Sequence, residues 1–255
     1  MGLGGSGQRR VPAGSSTVTA VPGARPVVLV HGWGGSFETT WRRSGVVDLL
    51  ADMGRPVIGV DLLGHGDAPT PHDPEAYLDL GERVVAAIEA TAGTGADATR
   101  VDAIGFSLGA MTLLGIAIAS PGCFDRLVLA GIGRNVLEPD DGAGERIARA
   151  VEGHADDDDT PAQAFARYAR QPGNDPVALA AVMRRPRRPF DPDDLARVTC
   201  RTLVAIGDAD FAGPGDALAA ALGNARLAVL RRTDHFATPE SFAFIDAALK
   251  FIDEP

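Results

Sequence analysis

A serine lies inside a short segment with a glycine at each end, Gly105-Phe106-Ser107-Leu108-Gly109, between an apolar run and a helical pattern. Strand, G-x-S-x-G and helix in this order are typical of a nucleophile elbow. Such a turn holds its serine in a strained backbone conformation, and the flanking glycines remove Cβ atoms that would collide. The hydroxyl is lifted clear of the sheet, so Ser107 is the candidate nucleophile of an enzyme.

Apolar runs of strand length alternate with helical patterns along the chain. The runs are continuous, as buried parallel strands require. We therefore predict a mostly parallel central sheet with helices on both faces. The predicted strands are residues 26–30, 56–60, 101–106, 126–130, 202–206 and 227–230, with a further short strand at Thr17–Val21. The last helix is predicted to have Thr238 as its cap and to bury Phe242, Ile245, Leu249 and Ile252.

Three regions differ in pattern. Residues 1–15 are rich in glycine, serine and arginine and are predicted to be a disordered tail. Residues 16–133 and 195–255 carry the strand and helix alternation and form the predicted core. Residues 134–194 contain prolines and short helical patterns but no strand pattern, so we predict a small helical cap inserted between two core strands.

Charge and cysteine usage bear on partners and compartment. The formal net charge of −10 argues against nucleic acid and anionic membranes as partners. No apolar stretch approaches the roughly 20 residues of a membrane span. The two cysteines have no metal or redox spacing, and no apolar signal segment follows the first arginines. A cytoplasmic protein is therefore predicted.

A serine hydroxyl is a poor nucleophile at neutral pH without a base and an orienting acid. His235 follows the last predicted strand after a short loop and is the candidate base. Asp208 and Asp210 both follow the preceding strand. Asp210 is preferred as the acid because it lies further into the loop, whereas Asp208 is expected to tie down the turn.

An oxyanion hole needs backbone N–H groups aimed at the developing negative charge. Leu108 follows the serine and begins a helix, so its N–H has no helical acceptor. The second candidate donor is the N–H of Trp33, in the loop His31-Gly32-Trp33-Gly34-Gly35-Ser36. His31 and the segment Asp61–Gly66 are interpreted as structural, holding loops at the sheet edge.

Two charged runs lie in the predicted cap. Asp156–Asp159 is interpreted as an exposed helix start with acids at its positive end, rather than as a metal site. Arg184–Arg188 is interpreted first as a solvated stretch where the cap returns to the core. The sharper hypothesis is that these arginines contact an anionic substrate or a carrier protein.

Five ordered motifs together resemble the α/β-hydrolase superfamily. They are His31-Gly32-Trp33-Gly34, Asp61–Gly66, the elbow around Ser107, Gly207–Asp210 and His235. The tryptophan after His-Gly and the leucine after the serine are similar to small serine carboxylesterases of the pimeloyl-carrier-protein methyl ester esterase type. Epoxide hydrolases and haloalkane dehalogenases carry aspartate in place of Ser107, so the resemblance does not extend to them.

The resemblance implies an α/β-hydrolase fold and a serine esterase that forms an acyl-enzyme on small to medium ester substrates, with no cofactor and no metal. Hydrolysis of a carbon–carbon bond in a vinylogous diketone and cofactor-free haloperoxidase chemistry use the same triad and stay open. A non-catalytic ligand-binding module on the same scaffold is the remaining alternative. The side chains predicted to line the substrate pocket are Phe37, Phe106, Phe165, Tyr168, Met183, Phe211 and Phe236.

Overall fold

The structure is a computed structural model that describes residues 24–92 and 100–255. The predicted tail, residues 1–15, and the predicted strand Thr17–Val21 lie outside the described residues. Within the described ranges, no helix combines the length and the apolar character that crossing a bilayer requires. The cytoplasmic location stays a prediction.

In the part of the chain that the structure describes, six parallel strands form one central sheet. They are β1 (Val27–Val30), β2 (Val57–Val60), β3 (Val101–Phe106), β4 (Phe124–Ala130), β5 (Arg201–Gly207) and β6 (Ala225–Leu230). Their spatial order is β2-β1-β3-β4-β5-β6, so β3 and the serine that follows it lie near the middle of the sheet. The predicted parallel α/β architecture is confirmed.

Helices cover both faces of this sheet. They are α1 (Val46–Asp52), α2 (Glu82–Ala92), α3 (Leu108–Ala119), α4 (Arg134–Leu137), α5 (Ala143–Val151), α6 (Thr160–Ala169), α7 (Pro176–Arg184), α8 (Pro192–Ala196), α9 (Asp216–Ala221) and α10 (Phe242–Asp253). Val27 and Leu29 share one apolar core with α1 and α10. Val28 and Val30 share the other with α2, α3 and α9. Because side chains alternate along a strand, this two-sided burial explains why β1 is apolar throughout.

Helices α4 to α8 occupy the connection between β4 and β5, where the helical insertion was predicted. α5 packs against α6 and α7, and residues of all three line the cavity above the serine. α4 and α8 instead pack against α9 of the core. Asp159, Asp175 and Asp191 cap α6, α7 and α8 by accepting backbone N–H groups of the first turn. Asp159, the last residue of the run Asp156–Asp159, thus caps the start of a helix, where the sequence predicted a helix start.

The last helix differs from its prediction. Thr238–Glu240 forms a 3₁₀ turn, and α10 begins only at Phe242. Phe242 is 81% exposed, and the buried residues are Phe244, Ala248, Phe251 and Ile252. The buried face is set by Phe244, whose ring centroid lies 6.3 Å from that of Trp41. Because α10 is so apolar, its helical spacing is compatible with burial of several neighbouring faces. The spacing also does not reveal that Trp41, distant in the sequence, is the partner of Phe244.

A buried carboxylate ties together the end of the sheet that lies away from the serine. Asp102, in β3, has no solvent exposure. Its oxygens form ion pairs with Arg55 and, at 3.5 Å, with Arg25, and they accept the N–H of Arg126 in β4 at 3.0 Å. An ionised group this far from water is tolerated only with such partners.

Replacing Asp102 by alanine leaves the Arg55 guanidinium without its buried carboxylate. We expect the free energy of unfolding, measured by urea denaturation, to fall by about 3 kcal/mol. Asp246→Ala is the matched control, because it removes only the exposed pair with Lys250 at 2.9 Å. The control is expected to lose less than about 0.5 kcal/mol. Equal losses in the two variants would contradict the assignment.

Candidate active site

Ser107 lies between the end of β3 and the start of α3, with φ 51° and ψ −111°. A positive φ is strained for a residue with a Cβ, so the surrounding turn must hold it in place. The Ser107 N–H donates to the carbonyl of Ala130 in β4 at 2.8 Å, and the Ser107 carbonyl accepts the N–H of Met111 at 2.9 Å. The turn therefore has the strained strand-to-helix geometry that the sequence predicted.

Two glycines permit this turn because their Cα atoms touch neighbouring backbone. A Cβ on Gly109 would collide with the carbonyl oxygens of Val30 and His31, the second at 2.5 Å. A Cβ on Gly105 would lie 2.8 Å from backbone atoms of Ala110. The first turn of α3 therefore packs directly on the end of β1, which brings the serine beside the loop that follows β1.

The Ser107 hydroxyl, the His235 imidazole and the Asp210 carboxylate form one hydrogen-bonded chain. His235 Nε2 lies 3.0 Å from Ser107 Oγ, and His235 Nδ1 lies 2.9 and 3.0 Å from the two Asp210 oxygens. Both His235 and Asp210 are buried, and the Ala212 N–H donates to Asp210 at 2.9 Å. The carboxylate holds the proton on Nδ1 and leaves Nε2 able to accept the hydroxyl proton, as serine activation requires.

Two other aspartates near the imidazole have different partners. Asp208 is exposed, and its carboxylate accepts the N–H of Thr233 at 3.4 Å, which joins the loops after β5 and β6. Asp234 accepts the N–H of Ala237 at 2.9 Å. The structure thus brings Asp210, the preferred candidate, to the imidazole, and Asp208 to the turn.

Aromatic rings enclose the imidazole. The ring centroids of Phe211, Phe106, Phe236 and Phe165 lie 4.3, 5.0, 5.5 and 6.3 Å from that of His235. These rings exclude water from the side chain, which is 4% exposed. In such surroundings the attraction between an imidazolium and a carboxylate is stronger than in water.

Two backbone amides border the same cavity as the serine. Trp33 and Leu108 are buried, and within residues 24–92 and 100–255 neither backbone N–H donates a hydrogen bond. Buried N–H groups without an acceptor are rare and call for an explanation. Leu108 also begins a helix of 12 residues, whose dipole favours negative charge at this end. This pair of amides is able to bind an oxyanion.

The helical layer above the cavity anchors the loop that follows β1. Trp33 Nε1 donates to the carbonyl of Leu179 in α7 at 3.0 Å. Asn174 Nδ2, just before α7, donates to the carbonyl of Gly34 at 2.9 Å. Asn174 was missed in the sequence because no local pattern links it to a loop 140 residues away.

Two buried histidines support neighbouring loops. His31 Nε2 accepts the N–H of Leu62 at 3.1 Å, and its Nδ1–H donates to the Gly32 carbonyl at 2.8 Å. His65 Nδ1–H donates to the Leu63 carbonyl at 3.0 Å, and the two imidazole rings lie 5.1 Å apart. Burial lowers the pKa of His31; burial and the proximity of His31 lower the pKa of His65 to about 3. Both rings are neutral at neutral pH, and both have structural contacts.

A cavity of about 770 Å³ lies between Ser107 and the helical layer. Of the predicted pocket residues, Phe165, Met183 and Phe211 line it. The apolar part of the wall also includes Trp33, Leu108, Met111 and Ile132. Since α5, α6 and α7 contribute much of the remaining wall, this layer sets the shape of the cavity.

The four other aromatic side chains predicted for the pocket pack elsewhere, and these predictions are corrected. Phe37 packs against Gly59 of β2. Phe106 lies behind the imidazole, in the apolar core. Tyr168 and Phe236 contact each other, with ring centroids 5.4 Å apart. The sequence does not show whether an aromatic side chain points into the cavity or packs against the residues behind it.

Residues 27–247 match the sequence model of the alpha/beta hydrolase family. This stretch contains the whole sheet and all three members of the hydrogen-bonded chain. The chain belongs to the alpha/beta hydrolase family.

Curated relatives in this family include esterases. The chain is 28% identical over 130 residues to an esterase of Mycobacterium tuberculosis, a match covering 51% of this chain and 40% of that protein. It is 38% identical over 116 residues to the pimeloyl-[acyl-carrier protein] methyl ester esterase of Methylococcus capsulatus, covering 44% of this chain and 39% of that protein. The matches thus span about two fifths of the length of these relatives.

Solved protein structures share the fold of this chain. The enol-lactonase of Burkholderia xenovorans superposes with a TM-score of 0.66 at 19% identity, covering 91% of this chain and 92% of that one. At this identity the likeness concerns the fold, while substrate choice depends on the side chains of the site.

The neutral state of His65 predicts that this family member loses stability in acid. The pKa of His65 falls from 6.5 to about 3 on folding, so the unfolded chain binds more protons between these pH values. Stability should therefore decline as the pH falls through this window, by up to about 1.4 kcal/mol per pH unit for this group.

Urea denaturation between pH 7 and pH 3 measures this decline. His65→Gln removes the titrating ring, and we expect a shallower pH slope than in the unmodified protein. His154→Gln, at an exposed histidine, is the control and should keep the original slope. The assignment fails if His65→Gln and the control behave alike.

Proposed function

We propose that the protein is a serine hydrolase that cleaves carboxylic esters of small to medium size through an acyl-enzyme. One observation carries the proposal: the hydrogen-bonded chain from the Ser107 hydroxyl through His235 to Asp210 borders a cavity of about 770 Å³. Family membership and the esterases among the relatives support it.

The reaction begins when Ser107 Oγ attacks the ester carbonyl carbon and His235 Nε2 takes the hydroxyl proton. The protonated imidazole then gives this proton to the leaving alcohol, and the tetrahedral intermediate collapses to the acyl-enzyme. Water repeats the attack with His235 as base, which releases the acid and restores the serine. The Nε2 to Oγ distance of 3.0 Å is within reach of direct proton transfer.

Asp210 and two amides stabilise the charges that appear along this path. Asp210 holds the imidazole in the productive tautomer and stabilises the imidazolium while staying ionised itself. The N–H groups of Trp33 and Leu108 bind the oxyanion, and they act most strongly where negative charge is greatest, in the transition state. These steps use the chain's own groups and water, with no cofactor or metal.

Hydrolysis of p-nitrophenyl butyrate tests the ester assignment. We expect a burst of p-nitrophenol equal to the enzyme concentration, followed by slower turnover. Ser107→Ala should abolish the burst and lower kcat by at least about 10³-fold, whereas Ser120→Ala, at the end of α3, should retain both. An enzyme that cleaves a vinylogous diketone or halogenates, but hydrolyses no ester of any chain length, contradicts the proposal. Equal inactivity of wild type and Ser107→Ala favours a binding module.

The roles of the two neighbouring aspartates are separable. Asp210→Asn keeps the side-chain size but removes the negative charge and introduces an amide N–H donor, which favours the imidazole tautomer with its proton on Nε2, so we expect kcat to fall on the order of 10³- to 10⁴-fold. Asp208→Asn, in the loop that follows β5, keeps a short polar side chain at an exposed position and should change kcat by less than about threefold. Steady-state kinetics with a melting temperature for each variant measures the difference, and similar losses would refute the assignment.

Asn174 is proposed as a positioning residue for the Trp33 amide. Asn174→Ala frees the Gly34 carbonyl, so the oxyanion loop should become less well placed, and we expect kcat to fall on the order of tenfold with little change in KM. Asn224→Ala is the control, because its side chain contacts Thr199, away from the cavity. A loss in KM alone, or an equal loss in the control, would argue against positioning.

A further inference from the structure

Arginines occupy one part of the cavity wall. Those that line it are Arg134, Arg146, Arg184, Arg185, Arg187 and Arg188. Three of them are matched by carboxylates. The matched pairs are Arg146 with Asp140 and Asp159, Arg184 with Glu145 and Glu152, and Arg188 with Asp191 and Asp194. The sequence hypothesis concerned the four arginines within Arg184–Arg188. The charges of two of them, Arg184 and Arg188, are thus already balanced by carboxylates.

Arg185, in the turn after α7, is different. Its side chain is half-buried, and its Nη1 donates to the carbonyl of Val182 at 2.6 Å. Among the described residues, no carboxylate oxygen lies within 4.0 Å of its guanidinium. Burial and the nearby charge of Arg187 lower the pKa of Arg185 to about 10. The side chain therefore stays protonated at neutral pH, beside a second cation.

Carboxylates on the wall do not balance Arg185. Three of them pair with Arg146 and Arg184, and the other two, Glu138 and Asp141, are exposed to solvent. A cation that is partly withdrawn from water with no anion beside it is unfavourable. An anionic group brought in by a ligand would offset that cost while filling the cavity.

We propose that Arg185 binds an anionic group at the end of the substrate remote from the ester, so that preferred substrates carry a carboxylate or a phosphate. The inference rests on the proposed ester hydrolysis at Ser107. Beyond the contact with Val182, no other donor of Arg185 is used within the described residues. A guanidinium presents paired donors that match two oxygens of either anion. Arg187 adds positive potential at the same place.

Three ethyl esters of similar length test the proposal. Ethyl hexanoate ends in a methyl group, monoethyl adipate ends in a carboxylate, and ethyl 5-phosphonooxypentanoate ends in a phosphate. We expect kcat/KM for at least one anionic ester to exceed that for ethyl hexanoate by about tenfold or more, the effect of a hydrogen bond to a charged group. The better of the two anions identifies the chemistry. A wild-type enzyme that favours the neutral ester overturns the inference and leaves ester hydrolysis standing.

Two variants with the same change in net charge separate a binding site from general attraction. Arg185→Gln should reduce the ratio of anionic to neutral kcat/KM by about tenfold or more. Arg188 lines the same cavity, but its charge is already matched by Asp191 and Asp194. Arg188→Gln should therefore leave the ratio within about twofold of the wild-type value. Equal reductions would mean that only the overall potential attracts the substrate. Arg185→Lys keeps the charge without the paired donors and should retain part of the preference.

Direct binding keeps the test independent of turnover. Calorimetry of Ser107→Ala with monoethyl adipate, and of the same protein with Arg185→Gln added, measures the contribution of Arg185 without chemistry. Tighter binding by the first protein supports the inference even if no ester is turned over, an outcome that would refute the proposed function alone. The same pair of proteins is titrated with ethyl 5-phosphonooxypentanoate, and equal affinities of the two proteins for each of the two anionic esters overturn the inference.

Discussion

The first turn of α3 packs directly on the carbonyl groups that end β1, and the arrangement of the site depends on this contact. A single Cβ at Gly109 would force the two apart. Because they touch, the strained Ser107, the start of a 12-residue helix and the loop that follows β1 meet at one point. Two amides from distant parts of the chain are thereby left next to the hydroxyl, without acceptors among the described residues. The strain at Ser107 is held by the sheet on one side and by α3 on the other.

The helical layer has a second role beyond covering the cavity. Trp33 contributes its backbone N–H to the site and its indole N–H to α7, and Asn174 holds the next carbonyl of the same loop. The elements that line the cavity therefore also hold the loop that carries one of the two amides. A movement of α7, which contacts the Trp33 indole and also lines the cavity, acts on the loop and on the cavity together, whereas a change confined to the Asn174 side chain acts on the loop.

Patterns that reflect local chemistry could be predicted from the sequence. Solid apolar runs require burial on both faces, and the glycines around Ser107 require a tight turn, so the sheet and the elbow followed from residue types alone. Features that depend on distant partners could not. Helical spacing in α10 did not reveal that Phe244, rather than Phe242, contacts the core beside Trp41. The aromatic residues near the strand ends likewise gave no sign of which ones, such as Phe211, face the cavity.

In the described parts of this protein, Asp102 and the pair His31 and His65 show two ways of burying an ionisable group, and Arg185 uses neither of them. Asp102 is surrounded by guanidinium groups and a backbone N–H. The buried pair His31 and His65 avoids the cost by staying neutral, since burial lowers the pKa of each. Arg185 has neither solution, because no carboxylate of residues 24–92 and 100–255 contacts it and its pKa of about 10 leaves it charged at neutral pH. A partly buried cation in the wall of the cavity that Ser107 also lines would be stabilised by an anion on the bound molecule, and this is the physical basis of the proposed substrate preference.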